Sequence, residues 1–178
     1  ATDSWSPIAN FPVDTRQRAA SFVINGKGYV TCGTSAYAVL NDCWEYDPAT
    51  NNWTAQTPLP AAGRFDAASF VIANRGYILG GAGSPFELWE FHNNTWTQKA
   101  GYPGANQTEM LAFSFSEKAM IFGGTARNKD VYEYRPAYSL EWPDGSTGYS
   151  YTINTPGIHS VRYTTPKGCT PSAIVEVT

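Results

Sequence analysis

Apolar and polar positions alternate along this chain in short bursts, broken every few residues by glycine, proline or asparagine. In "SFVINGKGYV" (residues 21–30), β-branched and aromatic residues flank Asn25-Gly26, the pair favoured in a tight two-residue hairpin. In "CWEYD" (residues 43–47), period two puts Trp44 and Tyr46 on one face and Cys43 and Glu45 on the other. No segment sustains a 3.6-residue apolar period, because Gly or Pro interrupts each candidate. The pattern predicts an all-β chain of short antiparallel strands.

The bursts repeat. Residues 16–33 (RQRAASFVINGKGYVTCG) align without gaps with residues 64–81 (RFDAASFVIANRGYILGG), and both align with residues 107–124 (QTEMLAFSFSEKAMIFGG). Downstream, "DCWEYD" (42–47), "ELWEFH" (87–92) and "DVYEYR" (130–135) share one order of acid, apolar, aromatic, Glu, aromatic. Each copy predicts four strands, a to d, joined by connections of varying length. Residues 5–12 (WSPIANFP) match residues 53–60 (WTAQTPLP) and so read as a strand d with nothing before it. The third copy has the reverse defect and stops after strand c.

A double glycine closing strand b, an aromatic in strand c and then a Trp resemble the kelch repeat. The elements are Cys32-Gly33, Tyr46 and Trp53; Gly80-Gly81, Phe91 and Trp96; and Gly123-Gly124 with Tyr134. Copy one has Cys for the first Gly, and copy three has no Trp. Kelch repeats build β-propeller blades, so the resemblance implies about three four-stranded blades within residues 1–136: strand d at 5–12, then blades at 16–60, 64–103 and 107–135, the last without strand d. A blade needs neighbours to bury both of its faces, and propellers typically carry 4–8. The expectation is either self-association of two copies that completes a propeller, or further blades elsewhere in a longer protein. The double glycine is expected where backbones converge and no Cβ fits.

After residue 136 the pattern changes to short strands expected at 149–153, 159–163 and 173–177, with turns at Pro143-Asp144-Gly145 and Thr155-Pro156-Gly157. Together with Lys167-Gly168-Cys169, this resembles the second half of a bacterial immunoglobulin-like or PKD-like module, a partial β-sandwich over residues 137–178. Such modules recur in multidomain surface and secreted proteins, often exported by the type IX route. The resemblance implies a bacterial, secreted or outer-membrane-associated cell-surface location.

Composition narrows the chemistry. Net charge is −3 and no Lys/Arg block occurs, so nucleic acid is not an expected partner. No apolar run is long enough for a membrane span, and no membrane insertion is expected. Asn-x-Ser/Thr triplets at Asn52, Asn93 and Asn106 carry no weight by themselves. Three cysteines (Cys32, Cys43, Cys169) and two histidines (His92, His159) match no metal-site spacing. A Cys32–Cys43 disulfide and two buried thiols are both open readings. "GGAGSP" (residues 80–85) leads into a strand, whereas a phosphate loop opens a helix. A copper-radical oxidase site would need two Tyr, two His and a Cys on one metal, and a Ser-His-Asp or Cys-His set finds only His92 in the repeats. Glu45, Glu90 and Glu133 occupy equivalent positions and read as a repeated structural feature.

No catalytic residue, cofactor or metal is therefore expected. The expected function is recognition of a protein partner, or a structural role, through the face where the d–a and b–c loops emerge. Candidate residues there are Arg16, Arg18, Arg64, Phe65, Asp66, Gln107 and Glu109 from the d–a side, and Tyr37, Phe86 and Arg127 from the b–c side. The alternatives are a glycan-binding propeller, or a propeller enzyme (oxidase or sugar-processing) whose site lies in blades absent here.

Overall fold

The computed structural model describes residues 3–84, 86–104, 108–115, 117–125 and 129–137, and, as backbone alone, 139–141, 157–164 and 172–177. Gln107, Arg127, Cys169, the turn at 143–145 and the strand expected at 149–153 lie outside the described residues. Every regular element among the described residues is a strand, and every pairing is antiparallel.

The first unit holds β1 (Ala20–Ile24), β2 (Lys27–Thr31), β3 (Cys43–Asp47) and β4 (Asn52–Gln56), hydrogen-bonded in chain order. The second repeats this with β5 (Ala68–Ile72), β6 (Arg75–Leu79), β7 (Leu88–His92) and β8 (Thr95–Gln98). The third has β9 (Met110–Ser114), β10 (Ala119–Gly123) and β11 (Val131–Tyr134), with β11 at the edge. A fourth sheet joins β12 (Ser139–Glu141), β13 (Gly157–Thr164) and β14 (Ser172–Val177).

The hairpin chemistry follows the sequence in the first unit and departs from it in the second. Asn25 and Gly26 take φ of 51° and 76°, as a type I′ turn demands. At the equivalent turn Ala73 and Asn74 take φ of 50° and 60° with no glycine at all. The turn there is imposed by pairing of the flanking strands, which overrides the local cost of a left-handed alanine.

Burial joins the first three sheets. Ala20, Phe22, Ile24 and Tyr29 of the first sheet form one apolar cluster with Ile78, Trp89, Phe91 and Trp96 of the second. The opposite face of the second sheet (Ala68, Phe70, Ile72, Tyr77, Leu79, Leu88) forms another with Met110, Ala119, Ile121, Tyr132 and Tyr134 of the third. Ring contacts carry both interfaces. Phe22 and Tyr29 lie 6.1 and 5.4 Å from Phe91, and Phe70 and Tyr77 lie 6.1 and 5.7 Å from Tyr134. Such pairs contribute about 0.5–1.5 kcal/mol each beyond area burial. The second sheet is thus buried on both faces because the repeat supplies apolar residues on both sides of its strands.

Polar links accompany the packing. Ser69 donates to the Ser21 carbonyl at 2.7 Å, and Asn74 Nδ2 donates to Asn25 Oδ1 at 2.6 Å, tying hairpin to hairpin. The amide of Asp66 donates to the Arg18 carbonyl and that of Glu109 to the Asp66 carbonyl, both at 3.1 Å. These three equivalent residues all take left-handed φ, of 60°, 55° and 59°.

Residues 5–12, expected as a strand, form none. The segment lies on the outer face of the first sheet, where Trp53 Nε1 donates to the Ala9 carbonyl at 3.1 Å and Phe11 meets the Trp53 ring edge-on at 5.0 Å. Strand pairing needs a partner edge, and β4 does not pair with this segment. The linker after β4 docks on the second sheet in the same way, with Trp96 Nε1 donating to the Thr57 carbonyl at 2.9 Å and Leu59 buried.

Candidate functional site

In each unit the segment entering the first strand and the long loop between the second and third strands share one edge of the sheet. Gln17 bridges Thr34, Phe65 bridges Ala82, and the Thr125 amide donates to the Thr108 carbonyl. The edge also crosses between units, since Gly33 N–H donates to the Arg64 carbonyl at 2.7 Å and Arg64 N–H to Leu40 at 3.2 Å.

The glycine pair turns the chain at this edge. Gly80 and Gly81 have φ of 65° and 94°, and Gly123 and Gly124 have 77° and 94°. Cys32 accepts φ of 61° in the position of the first glycine. Convergence of backbones is thus only part of the explanation. A Cβ on Gly33 would lie 2.7 Å from the Gln17 carbonyl oxygen, so the crowding comes from the entry segment of the same unit. A Cβ on Gly123 would meet nothing within 4 Å, so that position needs glycine for its φ alone.

Two of the expected binding arginines are interior. Arg64 is 0% exposed and donates to the Gly80 carbonyl and, at 2.6 Å, to Glu87. Glu87 also accepts from Trp89 Nε1 at 2.9 Å. Arg16 repeats the device, with both terminal nitrogens on Asp42 at 2.6 Å, one of them also on the Cys32 carbonyl, and Trp44 Nε1 on Asp42 at 2.8 Å. These arginines hold the long loop to the sheet and present little to solvent. Burial pushes the Asp42 and Glu87 carboxyls upward, but the guanidinium and indole donors outweigh it and hold both below their ordinary range.

Arg18 stays at the surface. Its guanidinium lies 4.1 Å from the centroid of the Phe65 ring and donates to both carboxylate oxygens of Asp66, from Nε at 2.9 Å. The Asp66 hydrogen bond, the largest cause, raises the Arg18 pKa. Arg18, Phe65 and Asp66, singled out separately in the sequence, therefore form one cation–aromatic–acid set across two units. Also exposed are Glu109, whose amide donates to the Asp66 carbonyl, and the long-loop aromatics Tyr37 (89%) and Phe86 (45%).

The strand acids are engaged from strand b or the residue just before it. Glu45 accepts from Lys27 at 2.7 Å and from Tyr29, Glu90 from Arg75 at 3.2 Å and from Tyr77, and Glu133 from Lys118 at 2.8 Å. Burial, with the Glu45 hydrogen bond, pushes the Tyr29 phenol well up, and Tyr77 likewise beside Glu90. His92 is half-buried, and burial followed by the charge of Arg75 lowers its pKa. Cys32 and Cys43 are buried and free, so the disulfide alternative is not the one realised. Cys43 sits opposite Thr31 in the ladder, and Cys32 has already turned out of it. Burial, then the neighbouring Cys32, pushes the Cys43 thiol up to about 12.

The acids that fix Arg16 and Arg64 were not singled out from the sequence. The signal was present, because an acid opens each strand-c motif wherever an arginine opens the copy.

No family model and no curated protein matches this sequence. Among solved structures the chain is similar to the structure of YjhT, at 18% identity and a TM-score of 0.67 over 90% of this chain. The chain spans 62% of that structure's length, and at this identity the likeness shows the fold alone: an all-β chain of antiparallel three- and four-stranded sheets.

Proposed function

We propose that residues 1–136 are a kelch-type propeller portion followed by part of an immunoglobulin-like module, serving non-catalytic protein recognition in a secreted or cell-surface bacterial protein. Support for the architecture comes from the three-copy repeat, the stacking of successive sheets through equivalent aromatics, and the fold likeness just described. The observation that carries the function is the loop edge. Arg18 over the Phe65 ring and paired with Asp66, together with Tyr37 and Phe86 exposed in the long loops, supplies the residue types that anchor protein interfaces. Each strand acid that could have served as a general acid or base is instead held by a neighbouring cation.

The test uses the immobilised chain, the secreted and surface proteins of the source cell, and a glycan array. A protein retained by the parent chain and lost by the triple variant Arg18→Ala, Tyr37→Ala, Phe86→Ala, with unchanged melting, supports this reading. Equal retention by the variant, or capture of glycans alone, overturns it.

A further inference from the structure

The third sheet leaves open a face that the first two sheets bury. Leu111, Phe113, Phe115 and Val131 are 49–60% exposed, with Phe113 in ring contact with Phe115 and Phe122 at 5.7 and 5.8 Å. Their equivalents in the first unit are Ala20, Phe22, Ile24 and Cys43, and in the second Ala68, Phe70, Ile72 and Leu88; all eight are at most 5% exposed. The residues are apolar at the same register positions, and among the described residues no neighbouring sheet covers this row.

The opposite end of the stack carries the other half of the same interface. Val30, Trp44, Tyr46 and Trp53 correspond to Ile78, Trp89, Phe91 and Trp96, which receive the first sheet's apolar row. At this end they are only half-buried. A hollow of about 510 Å³ opens there, lined by Val30, Trp53, Phe11, Ala19 and the Arg16 and Arg18 segment. In the second unit the matching positions Ile78, Trp96, Leu59 and Ala67 are filled by Phe22 and its neighbours. Trp5, equivalent to Trp53 and Trp96, is fully exposed, whereas those two pack on Tyr46 and Phe91 at 5.1 and 4.8 Å. The position matching Tyr46 and Phe91 in the third unit is Tyr134, on the edge strand β11.

We propose that the occupant of the open face is a second copy of this chain, joined head to tail. The Leu111, Phe113 and Phe115 row of one copy enters the Val30 and Trp53 hollow of the next, and residues 5–8 of that copy lie along β11 with Trp5 on Tyr134. The chain makes this interface twice within itself, and its two free ends are the two complementary halves. A heterologous contact of this kind either closes into a ring or continues. Two copies would close about six sheets, within the propeller range. The inference does not depend on the loop edge binding a partner.

Sedimentation of the full chain up to about 100 µM tests it. The parent chain is expected to associate, Phe113→Asp and Val30→Asp are each expected to be monomeric, and an equimolar mixture of the two is expected to form a heterodimer through the one intact interface. Trp5→Ser, at a fully exposed side chain, should weaken association by about tenfold without altering melting of the dilute monomer. That variant keeps the test decisive if Val30→Asp unfolds. A parent chain that stays monomeric, or association that Phe113→Asp and Trp5→Ser leave unchanged, overturns the proposal.

Discussion

Arg64 shows what a charged residue does when a repeat buries it. Its side-chain partners are the Gly80 carbonyl and Glu87. Its removal leaves Glu87, about one-third exposed, and the Gly80 carbonyl without their donor, so Arg64→Met is expected to cost about 1–3 kcal/mol in urea unfolding. The depressed carboxyls make a second expectation. Asp42, Glu45 and Glu87 have folded pKa values below their ordinary 3.8, 4.5 and 4.5, so each stabilises the fold above those values. That contribution is lost as pH falls through the folded values, and melting temperature should drop steeply below about pH 4, more so than in an Asp42→Asn, Glu87→Gln variant. The buried thiols should resist a thiol reagent at pH 8 until the chain is unfolded, because Cys43 titrates only at about 12.

At the scale of the element, strands and their alternation were legible because period two is a local property. Phe22 with Tyr29, and Phe70 with Tyr77, face one another across hairpins whose register a reader of the sequence could draw. The glycine pair was legible as a feature but its cause was not. φ values of 90° and 94° at Gly33 and Gly81, combined with the entry segment pressed against them, appear only once the long loop has been folded back. Gly81→Ala would bring a Cβ to 2.9 Å from the Phe65 carbonyl oxygen, and with the left-handed φ it is expected to destabilise by at least about 1–3 kcal/mol. Thermal melts compared with Gly26→Ala, where nothing lies within 4 Å, separate crowding from φ. The strand expected at residues 5–12 failed for a related reason. A strand is a pairing, and the match to residues 53–60 carries no information about whether an edge is there to receive it.

At the scale of the molecule, apolar clusters join neighbouring sheets among the described residues. Phe91 belongs to the second sheet but packs on Phe22 and Tyr29 of the first. Phe91→Ala is expected to cost about 3–5 kcal/mol, and hydrogen exchange should rise in β1 and β2 as well as in β6 and β7. Exchange confined to the second sheet would show that the sheets are stable separately. The candidate site also belongs to this scale. Arg18, Phe65 and Asp66 were each selected from the sequence as loop residues, yet their convergence depends on two units meeting at one edge. Arg16 and Arg64, selected by the same rule, went inside instead.

The sequence by itself determined the all-β class, the repeat, the turn at Asn25-Gly26 and the equivalence of Glu45, Glu90 and Glu133, because periodicity and residue type are local. Only the tertiary structure decided which arginine is a surface residue and which is buried against a partly exposed acid, and that Phe113 is exposed while Phe22 and Phe70 are buried. Those three phenylalanines occupy the same place in the same pattern. What separates them is the presence of a neighbouring sheet, and burial is a property of that neighbour as much as of the residue.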